Sequence, residues 1–160
     1  MPTVVYSLDN AIDSFFSEAG ASSSKAQCDD VVRRRYGGQI RPVDIQGSSS
    51  YTVIAASGNK IIQFREQAAL LDMKLLALTK EVHGDVVPGC SELGWVGEPN
   101  GSQLAIYEMD RLPGENYITA RPSLARDKRP NTVRSLARFV GIPPLQLSVF
   151  ASSLCVYLLT

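Results

Sequence analysis

The alternation of apolar and polar side chains divides the chain into helical and extended segments. Apolar residues recur at three- and four-residue intervals from Ile12 to Ala19, which is typical of a short helix that Gly20 can end. Residues 25–36 form a second candidate helix, closed by Gly37 and Gly38. Its run Arg33-Arg34-Arg35 is expected to be a solvated helix end, where cations complement the helix dipole, with phosphate binding as the alternative.

From residue 39 onward the apolar period changes from helical to two, which is typical of strands. The pattern predicts three strands, one long helix and two further strands, in that order: Ile40–Ile45, Tyr51–Ala56, Lys60–Arg65, the helix Ala68–Val82, Cys90–Val96 and Gln103–Met109. A hinge-like loop at Leu112-Pro113-Gly114 follows, and an amphipathic helix is predicted to begin near Asn131.

The element order predicts an α+β fold built on a five-stranded antiparallel sheet with a long packed helix. Two N-terminal helices precede the sheet, and a C-terminal helix with an apolar tail follows it. We expect four parts, with N-terminal helices at 1–36, the sheet and its helix at 37–114, a connection and helix at 115–141, and the tail at 142–160.

Length and charge restrict the class of protein. The 160 residues suit one domain, and the 16 basic and 16 acidic side chains cancel, so the basic surplus of a nucleic-acid binder is missing. Cys28, Cys90 and Cys155 lie more than sixty residues apart, and His83 is the single histidine. This spacing predicts neither a disulfide scaffold nor a metal site.

The two ends of the chain favour a cytoplasmic protein without a membrane partner. Asp9 and Asp13 interrupt what would be the apolar core of a secretory signal. The uncharged stretch Leu145–Leu159 is shorter than the roughly twenty apolar residues that span a bilayer, and it contains several serines. A buried terminal element or a tail foreign to the rest of the chain is the favoured interpretation over a membrane anchor.

Four segments, in this order and spacing, carry a resemblance to a known family: Gln46–Val53, Ile61–Arg65, Gly84–Pro88 and Tyr107–Gly114. From Gly37 to about Val140 the chain resembles the N-terminal lobe of the aminoglycoside phosphotransferase family, a kinase-like fold, closest to its fungal branch. The resemblance implies the small lobe of that fold and ATP as the cofactor.

The resemblance also implies which residues would bind the nucleotide. The loop before the second strand would approach the phosphates, Arg65 would stand in place of the phosphate-pairing lysine, and Asp72 would be the acid that orients it, with Glu66 and Glu81 as alternatives. The strand before the hinge would read adenine through its main chain. The implied binding residues are Gly47, Ser48, Ser49, Ser50, Arg65, Asp72, Glu108, Met109 and Asp110.

Strand alternation gives the third strand two different faces. Gln63 and Arg65 are expected to face a cleft together with Ile61, while Ile62 and Phe64 are expected to be buried against the following helix. Gln63 departs from the family, which usually carries a small residue under the adenine, and this bulky amide weakens the case for ATP.

The tripeptide His83-Gly84-Asp85 has the same sequence as the His-Gly-Asp of the catalytic loop of this family. It stands before the hinge, and Cys90 occupies the place where an asparagine is expected five residues after the aspartate. We therefore expect a turn that ends the long helix, and no catalytic residue is assigned.

The resemblance stops after Val140, before the catalytic lobe of the family is reached. We expect a nucleotide-binding lobe of a small-molecule phosphotransferase that is inactive as a kinase alone. One alternative is a shortened member reused as a metal-free isomerase or cyclase, and another is a non-catalytic interaction module. The expected partners are a small-molecule ligand and a second copy of the chain, paired through the C-terminal tail.

Overall fold

Five antiparallel strands form one sheet in an α+β structure, as the apolar pattern predicts. The computed structural model describes residues 6–18, 22–125 and 128. The elements are α1 (Leu8–Glu18), α2 (Lys25–Tyr36), β1 (Arg41–Pro42), β2 (Ser50–Ile54), β3 (Lys60–Arg65), α3 (Met73–His83), β4 (Cys90–Val96), β5 (Leu104–Asp110) and α4 (Tyr117–Ala120). The strand order across the sheet is β1-β2-β3-β5-β4, with α3 in the connection from β3 to β4.

Strand β1 is much shorter than the predicted segment Ile40–Ile45. Pro42 has no main-chain N–H, so the pairing with β2 weakens there. Val43 makes one more hydrogen bond to the carbonyl of Thr52, at 3.2 Å, and the chain then leaves the sheet.

Helix α3 begins five residues later than the predicted start at Ala68. A short 3-10 turn occupies Gln67–Ala69, and Asp72 then caps the helix by accepting hydrogen bonds from the N–H groups of Lys74 and Leu75, each at 3.0 Å. An aspartate that binds the first helical N–H groups fixes where a helix begins. The apolar residues before Asp72 therefore do not belong to it.

The chain divides into two compact units, one up to Leu112 and one from Pro113 onward. The boundary falls in the predicted hinge-like loop. The second unit contains α4, and its main chain continues with hydrogen bonds from Ser123 and Leu124 to the carbonyl of Ala120. The helix predicted near Asn131 and the apolar tail lie outside the described residues. No helix in the described ranges combines the length and apolar character needed to cross a bilayer.

The core lies between one face of the sheet and the two N-terminal helices. Its buried residues come from α1, α2, β2, β3 and β5, and they are Ile12, Phe15, Cys28, Val32, Tyr51, Val53, Ile62, Phe64, Leu104 and Ile106. The Tyr51 ring lies 5.2 Å from Phe16 of α1 and 6.0 Å from Phe64 of β3, measured between ring centroids. Aromatic and branched side chains thus fill the space between the layers.

Ile62 and Phe64 are buried as predicted, but the prediction that they pack on the following helix is wrong. Their exposed fractions are 1% and 0%, and they share the core cluster with residues of α1 and α2, while no residue of α3 belongs to it. Helix α3 packs against the edge strand β4 instead. The N-terminal helices supply the apolar surface that this face of β3 requires.

A buried carboxylate ties α2 to the sheet. Asp29 is 6% exposed, accepts a 2.8 Å hydrogen bond from the Tyr51 hydroxyl and pairs with Lys25 at 2.7 Å. Burial, followed by the bond to Asp29, raises the pKa of Tyr51, so this phenol stays a donor at neutral pH. A buried carboxylate is stabilised only while its donors remain.

Replacing Tyr51 with Phe should lower the free energy of unfolding by about 1.5–3 kcal/mol, because the buried Asp29 carboxylate loses a donor. Urea unfolding at pH 7, followed by far-UV circular dichroism, measures the loss. A double-mutant cycle with Asp29→Asn isolates the pair. Strictly additive effects of the two substitutions would show that this hydrogen bond does not couple α2 to β2.

Candidate functional site

The sheet face opposite the core carries a row of buried polar side chains. We call it the polar face and define it by Ser50, Thr52, Gln63, Arg65 and Tyr107, which are all at most 5% exposed. Ser50 stands directly opposite Arg65 across β2 and β3, and Thr52 stands opposite Gln63, which in turn stands opposite Tyr107 of β5. Residues paired in this way project to the same face of an antiparallel sheet.

Gln63 connects the members of the polar face. Its Oε1 accepts a 2.8 Å hydrogen bond from the Arg65 guanidinium, and its Nε2 donates to Ser50 Oγ at 3.2 Å and to Thr52 Oγ1 at 3.1 Å. Sequence reasoning treated Gln63 only as a bulky departure from the family and missed this role. The available signal was the spacing of Ser50, Thr52, Gln63 and Arg65, which places polar residues at every second position of two adjacent strands.

Arg65 is held at the C-terminal end of β3. Besides the bond to Gln63, its Nε donates to the carbonyl of Ala69 at 2.5 Å, in the turn that follows the strand. The charged group is therefore buried next to Ser50, the last residue of the predicted phosphate loop. The structure brings these two predicted site residues together.

The loop Gly47–Ser50 is closed by the side chain of Gln46. Its amide donates to the carbonyls of Val43 and Thr52, at 3.2 and 2.9 Å, and its oxygen accepts from the Thr52 N–H at 2.8 Å. The Gln46 side chain thus forms hydrogen bonds with the main chain of Thr52 that a neighbouring strand would otherwise supply. Ser48 is exposed, whereas Gly47 and Ser49 are half-buried. Among hydrogen bonds between described residues, none has a main-chain N–H of residues 47–49 as its donor.

The predicted acid, Asp72, has a local structural role as the cap of α3. Its Oδ1 binds the two N–H groups at the start of that helix, and the residue is exposed. Of the two alternatives, Glu66 is half-buried beside Arg65 in the chain, and Glu81 is exposed on α3. The role of Asp72 in orienting Arg65 stays a prediction.

Glu108, Met109 and Asp110 lie within β5, which ends one residue beyond the predicted end of that strand at Met109. Because β5 runs between β3 and β4, Met109 pairs with residues of both neighbours, as does Glu108. The carboxylates of Glu108 and Asp110 contact Lys60 Nζ at 3.1 and 2.8 Å. The main chain of these residues is therefore engaged in the sheet, and the carboxylates of Glu108 and Asp110 form an ion-pair cluster with Lys60.

His83-Gly84-Asp85 forms a turn that ends α3, as predicted. Gly84 has φ +60°, and its N–H donates to the carbonyl of Lys80, which closes the helix. A glycine adopts this left-handed conformation without the strain that a side chain would add. Asp85 is exposed beside Lys80 on the turn.

The thiols of the described residues are free and weakly acidic. Burial raises the pKa of Cys28 to about 12 and that of Cys90 to about 11. Cys90 lies on β4, opposite Met109 of β5. Both thiols stay protonated at neutral pH and are poor nucleophiles. Across residues 6–18, 22–125 and 128, no group of three or more His, Cys, Asp or Glu side chains is placed to hold a metal ion.

The assignment of this site depends on its geometry. Comparisons with protein-family models, curated proteins and solved structures give no match to the chain. The polar face and the adjoining loop are the candidate site because they combine a buried cation, buried hydroxyl groups and a small-residue loop.

The ion-pair cluster around Glu108 should contribute to stability in a pH-dependent way. The hydrogen bond from Tyr36, together with that from Lys60, holds the pKa of Glu108 below its ordinary value despite burial. Such a group stabilises the fold fully above its unfolded pKa, and the contribution is lost as the pH falls through the folded pKa.

We therefore expect Glu108→Gln to destabilise the protein at pH 7 and to have a much smaller effect at pH 3. Urea unfolding of both proteins at the two pH values measures this difference. Glu81→Gln, at an exposed position, is the matched control and should change little at either pH. An equal loss at pH 3 and pH 7 for Glu108→Gln would contradict the argument.

Proposed function

We propose that residues 37–114 act as the nucleotide-binding lobe of an ATP-dependent small-molecule phosphotransferase, in line with the resemblance to the aminoglycoside phosphotransferase family. The observation that carries the proposal is the position of Arg65, buried at the end of β3 and directly opposite Ser50 of the loop. A five-stranded antiparallel sheet with one helix between β3 and β4 is consistent with it.

The chemistry of these residues suits a phosphate ligand. A guanidinium group can donate two parallel hydrogen bonds to phosphate oxygens, and such charge-assisted bonds are about twice as strong as neutral ones. The small residues Gly47, Ser48 and Ser49 allow the main chain to approach an anion closely. In kinase-like proteins a cation on the third strand and a loop over the phosphates serve the same ends.

Adenine contacts belong to the segment after β5 in this proposal. The main-chain groups of Glu108 and Met109 pair within the sheet, and the Arg111 N–H donates to the carbonyl of Asn59 at 2.9 Å. The carbonyl of Arg111 and the N–H of Leu112 are the next main-chain groups along the chain. We assign the adenine contacts to them in place of Glu108, Met109 and Asp110.

Binding without transfer is the function proposed for these 160 residues. Phosphoryl transfer depends on a base that positions the acceptor and on metal ions that neutralise charge. The sequence contains His-Gly-Asp only at residues 83–85, where it forms the helix-ending turn, and Cys90 follows Asp85 by five positions.

ATP binding should depend on the charge of Arg65. Arg65→Met should weaken ATP binding by about tenfold or more, the size expected when a hydrogen bond to a charged group is lost. Isothermal titration calorimetry measures the affinity. Arg34→Met, on the exposed side of α2, removes the same charge and is the matched control. Equal affinities for the wild type and Arg65→Met would overturn the proposal.

The purified chain should not transfer phosphate from ATP to a hydroxylated small molecule. A radiolabelled ATP assay with a panel of aminoglycosides and amino sugars tests this expectation, because labelled product is detected without knowing the substrate. Product that forms with the wild type and disappears with Asp85→Asn would show that the turn at His83-Gly84-Asp85 is catalytic.

A further inference from the structure

We propose that Gln63 is a positioning residue that directs the hydroxyl groups of Ser50 and Thr52 to donate hydrogen bonds to a phosphoryl ligand beside Arg65. This inference deepens the proposed function and rests on it for the location of the site. It adds Thr52 to the predicted ligand-binding residues, gives the hydroxyl group of Ser50 a specific role, and identifies the side chain that determines what the two hydroxyl groups can bind.

The direction of hydrogen bonding starts from Arg65. A guanidinium group only donates, so the atom of Gln63 that lies 2.8 Å from it must be the carbonyl oxygen. This assignment leaves the amide nitrogen facing the two hydroxyl groups, at 3.2 Å from Ser50 Oγ and 3.1 Å from Thr52 Oγ1. The amide nitrogen also only donates, and its two hydrogens match the two hydroxyl oxygens.

Each of these hydroxyl groups accepts a hydrogen bond from Gln63 and retains its own hydrogen. Ser50 and Thr52 are both 2% exposed, and no hydrogen bond between described residues has either hydroxyl as its donor. A buried donor without an acceptor costs free energy. The polar face therefore presents two hydroxyl hydrogens that require an acceptor.

The charge nearby determines which acceptor is favoured. Arg65 lies directly opposite Ser50, so a negatively charged acceptor gains both the hydroxyl hydrogen bonds and the attraction of the guanidinium. A phosphoryl group carries several acceptor oxygens on one atom and can meet more than one donor. The neighbouring residues Gly47, Ser48 and Ser49 are at least partly exposed, so the buried hydroxyl groups lie next to a part of the surface that solvent reaches.

The donor role of Thr52 can be tested with nearly isosteric variants. In calorimetric titrations of the full chain with tripolyphosphate and with ATP, Thr52→Val should weaken binding of both ligands by about 3- to 10-fold, the size of one lost hydrogen bond. Thr52→Ser keeps the hydroxyl and should restore the affinity. Circular dichroism and urea unfolding confirm that each variant is folded.

The positioning role of Gln63 can be tested by Gln63→Glu, which keeps the shape of the side chain. A carboxylate accepts from Arg65 and from both hydroxyl groups, so it turns their hydrogens away from the ligand and adds a negative charge. Affinity for tripolyphosphate should fall by at least about tenfold. In nitrogen-labelled wild-type protein, the side-chain amide signal of Gln63 should shift during the titration.

The outcomes separate this inference from the proposed function. Unchanged affinities of folded Thr52→Val and Gln63→Glu would overturn the inference, while ATP binding that depends on Arg65 would leave the nucleotide proposal standing. Binding of tripolyphosphate that follows the variants, without binding of ATP, would support the inference and overturn the nucleotide proposal. Binding of neither ligand by the wild type would overturn both.

Discussion

The two-sided alternation of β3 is the constraint on which the remaining structure depends. Ile62 and Phe64 face the core shared with α1 and α2, while Gln63 and Arg65 face the polar side. A slip of one residue in the pairing with β2 would move a guanidinium into an apolar core and two large apolar side chains into the polar face. The burial of charge thus specifies the register together with the burial of apolar groups.

The same alternation explains why the N-terminal helices are part of the same compact unit as the sheet. The apolar face of β2 and β3 needs a cover, and α3 packs against β4 instead. Helices α1 and α2 provide that cover, and the Asp29–Tyr51 hydrogen bond fixes α2 above β2. The polar face is consequently left for hydrogen bonding and not for the main hydrophobic layer.

The apolar pattern predicted the elements that it determines directly. The bounds of α2, β3 and β4 agree with the prediction, because capping residues, glycines or strict alternation define their ends. The start of α3 could not be read from apolar spacing, since the cap at Asp72 decides it. The length of β1 was overestimated for a different reason. Pro42 limits the pairing of this strand with β2, which the apolar pattern does not register.

Only the part of the candidate site that depends on local sequence or on the resemblance could be predicted. The resemblance places Arg65 beside the loop that ends at Ser50, so their proximity could be anticipated. The bonds of Gln63 depend on the register between β2 and β3, which places Thr52 opposite it. That pairing is a long-range property, and so the amide was interpreted from the family and not from its neighbours. The predicted strand already contained Glu108 and Met109, but the apolar pattern does not say that strands flank β5 on both sides and occupy the main-chain groups of these residues.

The hydrogen bonds of the Gln46 side chain make the geometry of the loop Gly47–Ser50 independent of the residues within it. The amide of Gln46 holds both main-chain groups of Thr52, so the two ends of the loop stay at a fixed distance whatever residues lie between them. The side chains of residues 47–49, and even the number of residues between Gln46 and Ser50, can therefore change with little effect on the stability of the sheet. Substitutions at Ser48 or Ser49 would therefore change the surface of the loop and leave the sheet that carries it unchanged.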